Sequence, residues 1–157
     1  YTNPSLNWEK VSWLKTQTQL PIIIKGILHP DDALKAKEAG ADGIIVSNHG
    51  GRQVDGALAS IEALRDIRKV LPKPYKVLLD SGIQSGSDVF KAIALGADAV
   101  LLGRPYVYGL AIAKQRGVEE VIRNFQNDFE LTARLSGCRS LEEINRDSLY
   151  LNLSISL

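Results

Sequence analysis

The stretch SNHGGRQ, residues 47–53, places a histidine and an arginine three residues apart, directly after an apolar run. Histidine is a natural general base near neutral pH, and an arginine guanidinium binds a carboxylate through two parallel hydrogen bonds. The glycines beside His49 leave room for a ligand. A loop with His49 as base and Arg52 as carboxylate clamp would hold a 2-hydroxy acid with its hydroxyl-bearing carbon facing the imidazole. A structural role for the pair is the alternative, and the functional interpretation is favoured.

Four short apolar runs predict the strands that position this loop. They are PIII (21–24), GIIVS (43–47), KVLLD (76–80) and AVLLG (99–103). None alternates apolar with polar residues, which is typical of parallel strands buried on both faces. Helical patterns cover residues 31–40, 57–71, 85–96 and 118–137. Ser87 or Asp88 is expected to cap the third of these helices, and the alternation of strand and helix predicts an α/β fold.

An internal repeat relates residues 21–48 to residues 77–104 without a gap, at an offset of 56. It predicts a duplicated βαβ pair and therefore four βα units. A TIM barrel takes eight such units in about 250 residues, so this chain is expected to form half of a barrel. An open doubly wound sheet is the alternative, but no G-x-G-x-x-G motif follows the first strand.

Each predicted strand ends in polar residues or glycine. In order along the chain these ends are Lys25-Gly26, Ser47-Asn48-His49, Asp80-Ser81-Gly82 and Gly103-Arg104. Singly, Lys25 is explained as a solvated loop residue, Asp80 as a helix cap and Arg104 as part of a surface turn. Because parallel α/β folds gather their chemistry at the carboxyl ends of strands, the four ends together predict one site.

Composition excludes several other classes of function. Apolar residues make up 45% and charged residues 24% of the 157 residues, with a net charge of +1 and no block of like charges, so neither nucleic acid nor an anionic membrane is an expected partner. Cys138 is the single cysteine, which excludes an intramolecular disulfide and a cysteine-rich metal site. With no signal-peptide pattern, no long apolar run and no S-K-L ending, a cytoplasmic protein is expected.

The motifs SNHGGRQ, PIIIKGI, LLDSGI and GADAVLLGRPYVYGLA closely resemble those of the FMN-dependent 2-hydroxy acid oxidases and dehydrogenases, which include glycolate, lactate and long-chain hydroxy acid oxidases. The S-N-H-G-[GA]-R-Q run is highly specific. The resemblance implies a TIM barrel of which residues 1–157, as a single domain, supply the last four βα units and a C-terminal helix. The active-site tyrosines and the aspartate that orients the histidine belong to the N-terminal half of the family's barrel, outside this sequence.

The resemblance also implies roles for individual residues. His49 would take a proton from the substrate, Arg52 would bind its carboxylate, and Lys25 would stabilise negative charge at N1 and the C2 carbonyl of the reduced flavin. The residues implied to contact the flavin, its ribityl chain or its phosphate are Ser47, Asp80, Ser81, Gly82, Gly103 and Arg104. Gln84 stands where the family commonly has an arginine, so it keeps a hydrogen bond to the phosphate but loses the charge.

The favoured hypothesis is an enzyme that oxidises a small (S)-2-hydroxy acid, of the lactate or glycolate type, to the 2-oxo acid, with O2 as acceptor and H2O2 as product. A second hypothesis is an isolated half-barrel that binds FMN or phosphate without turnover. An IMP dehydrogenase-like enzyme ranks last, because Cys138 lies in the wrong place for its catalytic cysteine. Expected partners are the N-terminal half-barrel or a second copy of the chain, with a tetramer implied by the resemblance.

Overall fold

A four-stranded parallel sheet in the order β1-β2-β3-β4 organises the first part of the computed structural model, which describes residues 5–150. The strands are β1 (Ile23–Ile27), β2 (Gly43–Val46), β3 (Lys76–Leu79) and β4 (Ala99–Val100). Each strand pairs in parallel with the next, so the predicted parallel arrangement is confirmed.

The first strand begins and ends later than the predicted residues 21–24. Its pairing with β2 shifts register between Lys25 and Ile27, where Gly26 adopts a φ of 99°. Glycine tolerates this left-handed conformation, and the resulting irregularity lets the strand continue to Ile27 instead of stopping at the polar residue. Lys25 therefore lies within the strand and not in the loop after it.

Five helices accompany the strands in residues 5–150. They are α1 (Trp8–Gln17), α2 (Pro30–Glu38), α3 (Ser60–Val70), α4 (Gly86–Ala94) and α5 (Arg104–Leu135). Helix α1 was not predicted, because it has no apolar stripe: only Val11 is buried, and Trp13 is 60% exposed. Its start is fixed by Asn7, whose side chain accepts a hydrogen bond from the backbone N–H of Lys10.

Helix α5 begins well before the predicted residue 118, with Pro105 in its first turn. Its backbone leaves the helical region at Ala113 and Lys114, the latter at a φ of 52°. The helical segments on either side of this break meet at Gly109 and Gly117, where a Cβ on either residue would overlap the backbone of the other. Two glycines thus allow a closer approach than any side chain would permit.

The predicted cap of α4, Ser87 or Asp88, was wrong by two or three residues. Ser85 is the N-cap, and its Oγ accepts a hydrogen bond from the backbone N–H of Asp88 at 3.2 Å. Asp88 Oδ2 accepts in return from the backbone N–H of Gln84 at 3.1 Å. Ser85 thus satisfies an N–H group of the first helical turn, and Asp88 satisfies that of Gln84, the residue before the cap.

The chain divides into two compact units, each with its own buried residues. The first comprises Tyr1–Gly82 and Asp98–Leu101, and the second Ile83–Ala97 and Leu102–Leu157. In the first unit, fully buried strand residues face α2 and α3; they are Ile44, Val46, Val77 and Leu79. In the second, Phe90 packs with Ala94 and Ile144 beside Phe129. The organisation of residues 1–157 as a single domain stays a prediction.

An ion pair fastens β1 to the helix before it. The carboxylate of Asp42 accepts hydrogen bonds from Lys15 Nζ at 2.6 Å and from the backbone N–H of Ile22 at 2.7 Å. The hydrogen bond from Lys15, joined by that from Ile22, outweighs partial desolvation and holds the pKa of Asp42 below its ordinary value. We call this three-residue arrangement a helix–strand clasp.

A second helix–strand clasp fastens β3 to α3. Asp98 Oδ2 accepts from Arg68 Nη2 at 2.6 Å and from the backbone N–H of Val77 at 2.9 Å. Arg68 also donates to the carbonyls of Leu71 and Tyr75. The two aspartates stand at equivalent positions of the sequence repeat, and the duplication itself stays a prediction.

Candidate functional site

The carboxyl ends of β1, β2 and β3 bring three predicted site residues into direct contact. Lys25 Nζ lies 2.7 Å from Asp80 Oδ2 and 3.0 Å from Ser47 Oγ, and Ser47 Oγ lies 2.6 Å from the same Asp80 oxygen. Ser81 Oγ lies 3.3 Å from Ser47 Oγ. We call Lys25, Ser47, Asp80 and Ser81 the strand-end cluster.

The direction of the hydrogen bonds at Ser47 follows from what its neighbours are able to donate. An ionised Asp80 accepts only, so the single hydroxyl proton of Ser47 goes to that carboxylate. The oxygen of Ser47 then accepts from Lys25 Nζ and from the backbone N–H of His49, the latter at 3.1 Å. Ser47 is 1% exposed, and its hydroxyl is engaged as both donor and acceptor.

Asp80 is held in its charged form by this cluster. Burial alone would raise the pKa of its carboxyl, but hydrogen bonds from Lys25 and Ser47 outweigh that penalty and bring the pKa below its ordinary value. The side chain of Lys25 is 38% exposed, and that of Asp80 is 17% exposed. The ammonium of Lys25 carries three N–H donors, two of which are used here, so one remains for a ligand.

The loop after β2 turns in the left-handed sense at three consecutive residues. His49, Gly50 and Gly51 have φ values of 58°, 68° and 70°. Two of them are glycines, for which this conformation costs little, whereas for His49 it is strained. Asn48 closes the turn, because its Oδ1 accepts from the backbone N–H of Gly51 at 3.2 Å.

The imidazole of His49 lies over Gly26 of β1. A Cβ built at Gly26 would lie 3.4 Å from His49 Cε1, at ordinary van der Waals distance, so the ring is a close neighbour of this part of β1. His49 is nevertheless exposed on its other sides, and Arg52, which directly follows the turn, is exposed as well. The predicted base and the predicted carboxylate clamp are therefore both accessible to a ligand.

The loop after β3 carries a second strained residue. Ser81 has a φ of 80° and is followed by Gly82 at 81°. The hydroxyl of Ser81 accepts a hydrogen bond from the backbone N–H of Gly50 at 2.8 Å. A Cβ at Gly82 would meet no atom within 4 Å, which leaves its backbone open on that side.

The other predicted site residues belong to the second compact unit. Gln84 is exposed and its backbone N–H donates to Asp88. Gly103 is the N-cap of α5, with open space where a Cβ would stand, and Arg104 is the first residue of that helix. The structure thus joins Lys25, Ser47, His49, Asp80 and Ser81 through hydrogen bonds, whereas Gln84, Gly103 and Arg104 are placed only within their own unit.

Two residues of the site were missed by reasoning from the sequence. Asn48 was noted only as a polar residue after β2, although its amide also donates to the carbonyl of Leu58 and its backbone N–H to Ser60 Oγ. An asparagine before His-Gly-Gly is a common turn-closing residue, and this signal was available. The proximity of Gly26 to the imidazole had no local signal, because it relates β1 to the turn after β2.

Two further searches cover the part of the chain that the structure describes. Within residues 5–150, no group of three or more histidine, cysteine, aspartate or glutamate side chains is arranged to hold a metal ion. None of the helices in the same residues has the length and apolar character needed to cross a membrane.

Sequence comparison places the whole described chain in one family. The model of the FMN-dependent dehydrogenase family matches residues 1–151. Peroxisomal (S)-2-hydroxyacid oxidase GLO3 of Arabidopsis thaliana is 53% identical over 143 residues, which are 91% of this chain and 39% of the relative. L-lactate oxidase of Lysinibacillus sphaericus is 49% identical over 150 residues, 96% of this chain and 39% of the relative. The chain therefore spans about two fifths of the length of these relatives.

Solved structures agree with the sequence match. Mandelate oxidase with (S)-4-hydroxymandelic acid superposes with a TM-score of 0.84 at 47% identity, over 87% of this chain and 39% of that one. A mandelate oxidase mutant with the monooxide FMN adduct gives the same TM-score and identity over 44% of its chain. The four βα units are thus those of half of a TIM barrel, which confirms the predicted fold class. By its sequence and its fold, the chain belongs to the FMN-dependent dehydrogenase family.

Proposed function

We propose that this chain provides the C-terminal βα units of an enzyme that oxidises a small (S)-2-hydroxy acid to the 2-oxo acid with FMN as cofactor. The observation that carries the proposal is the hydrogen-bonded grouping of Lys25, Asp80 and Ser47, in which Ser47 also accepts from the backbone N–H of His49. Within residues 5–150 one N–H donor of Lys25 has no partner, and the side chains of His49 and Arg52 are exposed. The family's cofactor is FMN, and the relatives include proteins named as 2-hydroxyacid and lactate oxidases.

The residues of the chain fit the chemistry of FMN. An anionic phosphate requires cations and hydrogen-bond donors. Arg104 would supply a cation next to Gly103, where a Cβ would meet no atom, and the backbone of Gly82, in the other unit, is open in the same way. Ser81, and Gln84 in place of a cation, are the further polar groups proposed for the ribityl chain and phosphate. Lys25 supplies a positive charge for the ring, where negative charge develops on reduction. Ser47 and Asp80 would hold that lysine and contact the cofactor from the same strand ends.

Bound FMN supplies the acceptor for the two electrons that leave the substrate. In this proposal Arg52 binds the substrate carboxylate through two hydrogen bonds and thereby orients the hydroxyl-bearing carbon. His49 accepts one proton, from that carbon or from its hydroxyl. Conversion of the C–O single bond of the 2-hydroxy acid into the carbonyl of the 2-oxo acid releases two protons and two electrons. One proton would go to His49, and the other proton and both electrons would go to the acceptor.

We further propose O2 as the final electron acceptor, reduced with two electrons and two protons to H2O2. The support is that several relatives are named as oxidases. Lactate and glycolate are the proposed substrate types, because relatives are named for each.

A half-barrel that binds FMN or phosphate without turnover is the second candidate. One observation favours it: within residues 5–150 the histidine that forms an ion pair with a carboxylate is His29, with Asp31, and not His49. A histidine base usually needs a group that holds its tautomer and orientation, and its loss costs orders of magnitude in rate. Turnover would then require the N-terminal half-barrel or another copy of the chain.

Partner and location follow from the same proposal. We propose assembly into a homo-oligomer, a tetramer by family resemblance, with no nucleic acid or membrane partner. The cytoplasm remains the expected location, while relatives include a plant protein named as peroxisomal and bacterial proteins.

The deciding experiment is the visible spectrum of the purified protein before and after anaerobic addition of L-lactate or glycolate. Mass analysis of the same sample shows whether a second polypeptide is present. Bound flavin that bleaches supports an enzyme, and flavin that binds but never bleaches supports the second candidate. Colourless protein that does not take up added FMN contradicts both FMN-dependent proposals. His49→Gln is the matched variant, expected to bind FMN normally and to abolish bleaching.

A further inference from the structure

We propose that Ser81 is a positioning residue for His49, acting through the backbone of the turn that carries the imidazole. This inference rests on the proposed function of His49 as base. It gives Ser81 a role beyond the cofactor contact implied by family resemblance. The observation behind it is the hydrogen bond of 2.8 Å that Ser81 Oγ accepts from the backbone N–H of Gly50.

The His49 turn is strained and needs external support. His49 has a left-handed φ of 58°, a conformation that side-chain-bearing residues seldom adopt without surrounding contacts that impose it. Two consecutive N–H groups of the turn, those of His49 and Gly50, donate to serine hydroxyls on either side. Ser47 holds the first and Ser81 the second.

The backbone of Ser81, which provides this acceptor, is strained as well. Its φ of 80° is also left-handed, although glycine would occupy that position without strain. A hydroxyl there offers what glycine lacks, an acceptor aimed at the neighbouring loop. Strain in two contacting loops, joined by one hydrogen bond, indicates a built arrangement and not an incidental surface contact.

The same hydroxyl is connected to the charged members of the strand-end cluster. Ser81 Oγ lies 3.4 Å from Asp80 Oδ2 and 3.3 Å from Ser47 Oγ. The Ser47 proton is committed to Asp80, and the Ser47 oxygen already accepts from Lys25 Nζ and from the N–H of His49. The Ser81 proton therefore goes to Asp80 Oδ2, and the lone pairs of Ser81 remain for the N–H of Gly50. The Lys25–Asp80 ion pair thus fixes the hydroxyl that supports the turn.

The experiment compares Ser81→Ala and Ser81→Gly in the holoenzyme, with FMN and every polypeptide that co-purifies. Both variants remove the hydroxyl, but only glycine also relieves the backbone strain. We expect the rate constant of anaerobic flavin reduction at saturating substrate to fall about 10- to 100-fold in both, because a small displacement of a catalytic group costs that much. The dissociation constants of FMN and substrate should stay within about twofold.

A second measurement does not depend on activity. Amide hydrogen exchange of residues 47–52 in the cofactor-free protein should be faster in both Ser81 variants than in the unmodified protein. Ser12→Ala is the matched control, because it removes a serine hydroxyl of the same unit that bonds the Ala39 carbonyl, away from the cluster. It should change neither the exchange of residues 47–52 nor flavin reduction.

The outcomes separate this inference from the proposed function. A higher dissociation constant for FMN with an unchanged rate of flavin reduction would mean that Ser81 only contacts the cofactor. That result would overturn the positioning role. Unchanged exchange of residues 47–52 in both variants would overturn it as well. Failure of the unmodified holoenzyme to bleach with any 2-hydroxy acid would instead contradict the proposed function, and the exchange measurement would still test the support of the turn.

Discussion

Lys25 and Asp80, 55 residues apart in the chain, form an ion pair of 2.7 Å at the carboxyl ends of β1 and β3. The pair keeps a cation at the edge of the sheet where a ligand is proposed to bind, and it balances that cation with a carboxylate of the same protein. Ser47 touches both members, so one buried hydroxyl links the pair to the His49 turn.

Asp80→Asn tests the contribution of this pair to stability. Since the pKa of Asp80 is lowered in the folded state, its carboxylate stabilises the fold above the unfolded-state value of about 3.9, and this contribution is lost as pH falls through the folded-state pKa. The free energy of unfolding, measured with urea, should drop by about 1–2 kcal/mol at neutral pH in the variant. Acidification to about pH 3 should narrow the difference from the unmodified protein.

Glu130→Gln is the control for that experiment, because it removes a carboxylate from an exposed pair with Arg134. Its unfolding free energy should stay close to that of the unmodified protein at both pH values. The assigned direction of the pKa shift would be contradicted if the difference in unfolding free energy between Asp80→Asn and the unmodified protein became larger on acidification.

Arg52→Ala tests the carboxylate clamp. Loss of a bidentate, charge-assisted contact of about 2–3 kcal/mol should raise the substrate dissociation constant roughly 30- to 150-fold, as measured by anaerobic titration of flavin reduction. Arg65→Ala, an exposed arginine beside Asp66 in α3, is the matched control and should leave that constant unchanged. Equal substrate dissociation constants in the two variants would contradict the assignment of Arg52 to the substrate site.

The two helix–strand clasps predict unequal losses of stability. Arg68 and Asp98 are only 12% and 18% exposed, so Arg68→Ala should leave a desolvated carboxylate and lower the unfolding free energy by about 3 kcal/mol or more. Lys15 and Asp42 are 38% and 40% exposed, so Lys15→Ala should lower the unfolding free energy clearly less than Arg68→Ala. Equal losses in urea unfolding would show that burial does not distinguish the two clasps.

Gly117→Ala tests the contact inside α5. Alanine is the better helix former, but its Cβ would overlap the carbonyl of Gly109, so the helical segments must separate. We expect a loss of at least about 3 kcal/mol in unfolding free energy and a lower Tm. Glu119→Ala, at an exposed position of the same helix, should change stability by less than about 0.5 kcal/mol.

The convergence of the site was predictable from the sequence because it depends on topology more than on exact boundaries. Parallel strands end at one edge of a sheet, so polar residues after successive apolar runs meet whatever the precise end of each strand. The predicted bounds of β1 were wrong, but the predicted grouping of residues does not depend on them. Lys25 lies beside Ser47 and Asp80.

Other features were beyond a reading of the sequence for physical reasons. Helix α1 lacks the apolar stripe that periodicity detects, since Val11 is its one buried residue. The left-handed backbone of Ser81 has no local signal, because serine at that position is chosen by a contact with Gly50 in another loop. By contrast, Pro105 in the first turn of α5 was a usable sign that this helix starts before residue 118.

The left-handed turn at His49–Gly51 bears on how tightly a ligand is able to bind. The backbone N–H groups of His49, Gly50 and Gly51 donate hydrogen bonds to side-chain oxygens of Ser47, Ser81 and Asn48, and these bonds already restrict the loop in the protein alone. The loop therefore loses its conformational entropy when the protein folds. Little further entropy is lost when a ligand binds, so ordering of the loop does not oppose association. A ligand bound at the imidazole would meet a loop that is already ordered, so its affinity would reflect its own contacts and not the ordering of the protein.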